Sequence, residues 1–343
     1  MLRFLNRRQI DDVAWDGCVS GAHNALMYGH TWYLDAVTYL PGWRWEGLVI
    51  TDILAGEAAQ YEAVLPIPLR RRWGRWVVYQ PLFCQFLAVF SAQQIDVTPF
   101  IQAVFERYRH VSTWHLLLHE PLPGLPAQVR QQVLHTHVLA LVGDVSYAIS
   151  WRYGVTKKPI YTPDRQMNLR RAVRRVANVP NWRVAESTDI EPLLALFREN
   201  HAPEIGVGDW AYAVFRQLFG AIQERGLGTL QYAWAGGKVV AGAYFVAQHG
   251  RIVYLFNAAD AEGRRLNARS ILIDGMIRAE QEKAVTESMP TESLLDFESP
   301  EKPGVVSFYE SFGATAQPYV RLSWSRLTWA EQLAKWVLKK VRR

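Results

Sequence analysis

Cysteine is scarce in this chain of 343 residues, which holds only Cys18 and Cys84. The two stand far apart and match no metal-ligand spacing, and so few thiols in so long a chain suit a reducing compartment. None of the nine histidines pairs with a cysteine or a carboxylate at metal spacing, so no metal is expected. Long apolar runs are missing too: nothing approaches the roughly 20 residues of a membrane span. Residues 1–8 lack an apolar stretch long enough for a secretory signal. These absences make a cytoplasmic location the expectation. No low-complexity tract appears, which argues against disorder. A Gly-x-Ser-x-Gly elbow and a P-loop are both absent, which removes the common serine hydrolases and P-loop nucleotidases.

What the chain does have is core material. Half its residues are hydrophobic and 13% are aromatic, and 343 residues favour two domains or one large composite. The 14 Trp and 15 Tyr carry polar handles on apolar bodies. The net charge of +6 is concentrated. Residues 161–183 hold six arginines against Asp164 alone, and residues 329–343 hold five basic residues against Glu331. Local basicity points to anionic partners at two places, with solvated helix faces as the bland alternative.

Two similar halves follow from periodicity and turn signals. The first opens with a helix near residues 10–19 and a second started by Thr31 as N-cap and stopped at Pro41-Gly42. Strands are expected at 45–50, 61–69 and 76–79, then a helix from Thr98-Pro99, then strands at 114–118 and 138–142. The second half starts with the capping box Thr188-Asp189-Ile190-Glu191 and a long helix capped by Asp209. Strands at 229–234, 239–246 and 252–256 come next, followed by a helix from Ser270 and a strand at 294–297. A short helix at 305–312 and a last strand at 319–324 complete it.

Residues 306–314, Val-Ser-Phe-Tyr-Glu-Ser-Phe-Gly-Ala, resemble the FYEKxGF signature that follows the fifth strand in the GNAT acyltransferase superfamily. Over nearly its whole length the chain resembles the FemABX-like branch, including the CelD/BioF-like acetyltransferases. The segments Gln80-Pro81 through Gln85-Phe86-Leu87, Tyr161 through Ala172, and Leu295-Asp296-Phe297-Glu298 ahead of Pro303-Gly304-Val305 carry that likeness. It implies an α+β fold with mixed sheets and two tandem GNAT-like lobes. The expected division is a first lobe at 1–160, a basic linker helix at 161–183, a second lobe with the active site at 184–326, and a basic amphipathic helix at 327–343.

The resemblance also implies a site. GNAT folds part their sheet between the fourth and fifth strands, and the acyl donor's thioester enters the gap. The donor's pyrophosphate rests on the N–H groups opening the next helix. That region here offers Asn257, Arg264, Asn267, Ala268, Arg269 and Ser270 as cofactor-binding candidates. The usual Q/R-x-x-G-x-G/A loop is not met, because Asn267 or Ala268 stands where its first glycine belongs. Acyl-CoA (acetyl-CoA) is the expected donor, and aminoacyl-tRNA, used by some FemABX-like enzymes, is the alternative.

Tyr309 is the candidate to protonate the leaving thiolate, against a plain core aromatic beside Phe308 and Phe312. Asp296 and Glu298 stand two apart on an expected strand, so their carboxylates share a face and offer a base. The alternative is a strand end emerging into solvent. His201 is a weaker candidate base, since a loop histidine after a helix is more often structural. Arg165, Asn168 and Arg171 are substrate-binding candidates for a phosphorylated ligand, or else caps on an exposed helix. In the tail at 329–343, Ala330, Leu333, Ala334, Val337 and Val341 make an apolar stripe opposite Lys335, Lys339, Arg342 and Arg343. It fits docking on its own protein or on an anionic membrane at the inner face of the cytoplasmic membrane.

The expected function is therefore acyl transfer to an amine or hydroxyl of a small molecule, saccharide or cell-envelope precursor. The competing readings are tRNA-dependent aminoacyl transfer to a peptidoglycan or lipid precursor, and an inactive GNAT-like binding module.

Overall fold

The computed structural model describes residues 2–51, 60–141, 161–201, 206, 208–286, 293–329, 331 and 332. It divides the chain into two units, Met1–Leu134 with Pro318–Arg343 and His135–Gln317.

In the first unit β1 (Leu2–Asn6) precedes α1 (Asp12–Ser20) and α2 (Thr31–Val37). A meander follows: β2 (Trp43–Thr51), β3 (Tyr61–Arg72) and β4 (Arg75–Tyr79), with β5 (Phe90–Ser91) also on β3. Then come α3 (Thr98–Arg107) and β6 (His110–Leu116), which pairs with β4 in parallel. Tryptophans fill this core, and two of them use their indole N–H groups on polar partners. Trp15 donates to the Gly29 carbonyl at 2.8 Å and Trp45 to the Asp35 carboxylate at 2.7 Å. Gly47 is glycine for space, since a Cβ there would lie 2.4 Å from the Trp15 ring.

The strand β7 (Arg130–Ala140) carries the chain into the second unit, where α4 (Pro163–Val176) is capped by the Thr162 hydroxyl. Next are β8 (Arg183–Ser187), α5 (Glu191–Asn200) and α6 (Asp209–Gln223). A second antiparallel meander, β9 (Gly228–Ala235), β10 (Lys238–Gln248) and β11 (Arg251–Ala259), leads to α7 (Ala261–Arg265) and α8 (Ala268–Thr286). β12 (Leu294–Asp296) pairs with β11 in parallel and with β7 antiparallel. α9 (Pro303–Glu310) leads to β13 (Thr315–Ser325), whose residues 320–325 pair with β6 in the first unit. Each unit thus has an antiparallel meander flanked by a parallel strand, and each completes its sheet with an antiparallel strand from elsewhere in the chain.

Several local expectations shift. The division at 134 and 317 differs from lobes at 1–160 and 184–326, because β7 and β13 each run out of one unit and into the other. The 161–183 segment is not a linker: Leu169, Ala172 and Val176 are buried in the second unit's core, and α4 opens that unit's helical layer. Thr31 begins α2 after His30 rather than capping it, and bonds the Asp16 carboxylate through its N–H and hydroxyl. Asp209 is likewise the first residue of α6. Of the capping box, Asp189 accepts from the Glu191 N–H at 2.9 Å, while the Glu191 carboxylate is taken by Arg216. Of the tail, residues 330 and 333–343 lie outside the described residues. Among the described residues no helix is long and apolar enough to cross a membrane.

Candidate active site

β11 has nine residues, but only residues 251–253 pair with β12. Beyond them the strands part. The Phe297 N–H turns instead to the His137 carbonyl at 3.0 Å, and Glu298 takes φ +46°. The sheet therefore opens beside residues 254–259.

A bulge aims the side chains at that opening. In the β10–β11 register Tyr244 faces Phe256 and Phe245 faces Tyr254, which leaves Leu255 as an extra residue. The extra residue resets the alternation. Phe256 packs against Phe197 and Phe215 of α5 and α6, while Tyr254 and Asn257 come to the side occupied by Arg269. Arg269, in the first turn of α8, donates to the Asn257 side-chain oxygen at 3.2 Å. Its charge also acts on the hydroxyls of Tyr254 and Tyr309.

The opening has aromatic walls. Tyr309, on α9, stacks on Phe297 with centroids 4.4 Å apart, and Tyr254 meets Phe297 edge-on at 6.3 Å. Burial pushes the Tyr309 hydroxyl up to about 12, with Arg269 opposing the rise and Glu298 and Asp296 adding to it. A phenol held this high is protonated at neutral pH and is chemically able to donate a proton or a hydrogen bond. Burial also raises the Tyr254 hydroxyl, which lies inside the protein without a hydrogen-bond partner among the described residues. An unpaired buried hydroxyl costs about 1–3 kcal/mol, so its retention calls for an explanation.

The start of α8 is set by a left-handed turn. Asn267 takes φ +57°, and its carbonyl accepts from the Ser270 and Ile271 N–H groups at 3.0 and 3.3 Å. Asparagine is among the few residues that adopt this left-handed conformation at low cost, so here it supplies the turn a glycine would. The N–H groups of Ala268 and Arg269 make no hydrogen bond among the described residues. Gly263 lets α7 lie close to β10, because a Cβ there would sit 2.1 Å from the Val240 carbonyl oxygen. Arg264 turns to the Ala259 carbonyl at 2.8 Å and so closes the end of β11.

Other candidates fall elsewhere. Asp296 and Glu298 do not share a strand face, since β12 ends at Asp296 and Glu298 lies in the following turn. Asp296 is fully buried, and both its oxygens are engaged. Arg251 donates to one through Nε at 2.9 Å and Nη2 at 2.6 Å, and the other accepts from the Thr136 hydroxyl and the Glu298 N–H. A carboxylate so occupied holds the turn together and has no lone pair directed at the opening. Arg165 is also anchored: it bonds Ser311 at 2.8 Å and Ser270 at 3.0 Å and lies between the rings of Phe308 and Phe312. It clamps α4 to α8 and α9. Asn168 and Arg171 are exposed on α4, away from these contacts. His201 accepts the Ala259 N–H at 3.4 Å, a structural use. Among the described residues no three His, Cys, Asp or Glu side chains gather as a metal site. Tyr254 and Arg251 were not singled out from sequence: the bulge leaves no local signal, and Arg251 meets Asp296 only through the parallel pairing.

Residues 163–287 match the family model of the acetyltransferase (GNAT) domain. The crystal structure of FemX shares the fold with a TM-score of 0.56 at 12% identity, covering 93% of this chain and 96% of that one. A conserved protein of unknown function from Bacteroides thetaiotaomicron VPI-5482 does so with a TM-score of 0.50 at 11% identity, covering 95% and 100%. No curated protein matches the chain.

Proposed function

From a FemABX-like tandem GNAT fold with a GNAT acyltransferase-like second unit as the premise, we propose that the chain transfers an acyl group from a thioester donor, acyl-CoA, to an amine or hydroxyl. The acceptor class is a small molecule, a saccharide or a cell-envelope precursor. The observation that carries this reading is the parting of β11 from β12 after residue 253, with Tyr254, Asn257, Arg269 and Tyr309 gathered beside it.

In this reading the thioester lies along residues 254–257, with Asn257 bonding the donor's amide chain. The pyrophosphate rests on the free N–H groups of Ala268 and Arg269, where a helix start attracts anions. The acceptor's lone pair attacks the thioester carbonyl, and the C–S bond breaks as the new C–N or C–O bond forms. Tyr309 gives its proton to the departing thiolate. Glu298, whose charge already reaches the Tyr309 hydroxyl, takes the proton from the acceptor. Alignment in the gap supplies much of the rate. The left-handed Asn267 favours acyl-CoA, since it supplies the turn that the loop's first glycine would otherwise make.

Calorimetry with acetyl-CoA and with aminoacyl-tRNA tests the donor. Acetyl-CoA alone should bind, and binding of neither would leave an inactive module. With a working donor, Tyr309→Phe should lower kcat about 10²–10⁴-fold, the usual worth of a positioned acid, with donor affinity unchanged. A parental rate in that variant removes Tyr309 from the chemistry.

A further inference from the structure

The basic face of α4 has no role in the acyl-transfer reading. Leu169, Ala172 and Val176 are buried, which fixes the helix on the second unit and turns Arg170, Arg171, Arg174 and Arg175 outward. Two like-charge pairs result at i,i+4 spacing, Arg170 with Arg174 and Arg171 with Arg175. Such pairs destabilise a helix by about 0.2–0.5 kcal/mol each unless an opposite charge sits nearby. None does along α4: the positions one turn before are Gln166 and Met167, and one turn after are Asn178 and Val179. Arg170, Arg171 and Arg174 form no ion pair among the described residues, and Arg175 donates only to the Arg265 carbonyl. The carboxyl-terminal dipole of α4 favours Arg174 and Arg175, but among the described residues no anion faces Arg170, Arg171 or Arg174, which leaves room for an anionic partner outside the chain.

The surroundings indicate what that partner is. Met167 is 43% exposed and Val173 is 54% exposed, so apolar side chains stand among the arginines. A groove of about 520 Å³ between α4 and α8 is lined by Leu169, Val173, Arg170, Arg174 and Arg278. Its one carboxylate, Asp274, is already bound by the Tyr161 hydroxyl at 2.6 Å and Arg278 at 2.9 Å, so it does not neutralise Arg170 or Arg174. Phosphates on an apolar layer match this pattern of arginines around exposed aliphatic groups. A single-stranded nucleic acid would call for exposed aromatic rings to stack its bases, and α4 has none.

We propose that α4 docks the second unit onto an anionic phospholipid surface. Arg170 and Arg174 meet headgroup phosphates, and Met167 and Val173, which flank them on the helix, reach the acyl boundary. The proposal does not depend on the donor or acceptor of the transfer reaction.

Co-sedimentation of the full chain with phosphatidylcholine vesicles, with and without phosphatidylglycerol, tests it. Binding is expected only to the anionic vesicles and should weaken with salt. Each arginine near an anionic surface contributes about a fivefold factor in partitioning, so R170Q/R174Q should bind roughly 25-fold more weakly. Val173→Asp should weaken binding as well, which a purely ionic contact would resist. All three positions are exposed, so thermal unfolding should match the parent and show that folding is intact. Unchanged partitioning of R170Q/R174Q, equal binding to neutral vesicles, or retention of tRNA without vesicle binding would each overturn the proposal.

Discussion

Replacing Asp296 with alanine would strip the buried Arg251 guanidinium of its counter-ion. Arg251 is 3% exposed and Asp296 is fully buried, and two charged hydrogen bonds of 2.9 and 2.6 Å join them. Removing one member of such a pair typically costs about 3–5 kcal/mol, because the remaining charge stays desolvated. The same change frees the Thr136 hydroxyl and the Glu298 N–H, so the upper end of that range applies. Against a total stability of about 5–15 kcal/mol the loss is large. In urea, with a slope of about 1–3 kcal/mol/M, it should move the second unit's midpoint down by roughly 2–5 M. Substituting both partners with apolar residues, R251M/D296L, should recover most of that loss, since a buried pair often does little better than well-packed hydrocarbon. An Asp296→Ala midpoint equal to the parent's would refute the argument that this carboxylate is structural. So would an Asp296→Asn variant of parental stability that had lost all transfer activity, which is the signature of a base.

Tyr254→Phe deletes a hydroxyl that is buried without a hydrogen-bond partner among the described residues, so stability should hold or rise by about 1 kcal/mol; a slower acyl transfer in the same variant would assign that hydroxyl to the bound donor. The pH dependence of urea unfolding should fall at alkaline pH. Tyr309 titrates at about 12 when folded against an ordinary value of about 10. The folded state therefore holds its proton more tightly, and stability present below pH 10 is lost as pH rises through 12. Tyr309→Phe should flatten that decline, and an identical slope would count against the assignment. Asn267→Gly should be tolerated in both thermal unfolding and acetyl-CoA binding. Asn267→Val should cost about 1–3 kcal/mol through its left-handed backbone, and the affinity measured by calorimetry should drop with it.

Both meanders were legible because their signals are local: alternating apolar residues, and turns such as Gly236-Gly237, where both glycines take positive φ. The edge strands β1 and β8 were not. β1 buries only Leu5 and β8 buries no residue, so neither shows the alternation that marks a half-buried strand. The sequence brought Tyr309, Asn257 and Arg269 into one candidate site, and the structure gathers them. The carboxylates were misread for a physical reason. Two-residue spacing implies a shared face only while the strand lasts, and β12 stops at Asp296. The partner that makes Asp296 structural lies on β11, and nothing in the sequence near residue 296 announces it. The basic segment at 161–183 carried its amphipathic stripe in plain view, yet composition alone could not tell a connector from a helix buried along Leu169, Ala172 and Val176.

The return of β13 to β6 has a consequence for how the chain matures on the ribosome. Residues 135–317 are contiguous and can close their own ladder as soon as they have emerged. The amino-terminal unit cannot, because Val320 through Ser325 are translated after all of its other strands. Until they arrive, β6 presents an unmade row of backbone donors and acceptors. The half made first is thus finished last, and interruption of synthesis near residue 317 would release a product with one complete unit and one open one.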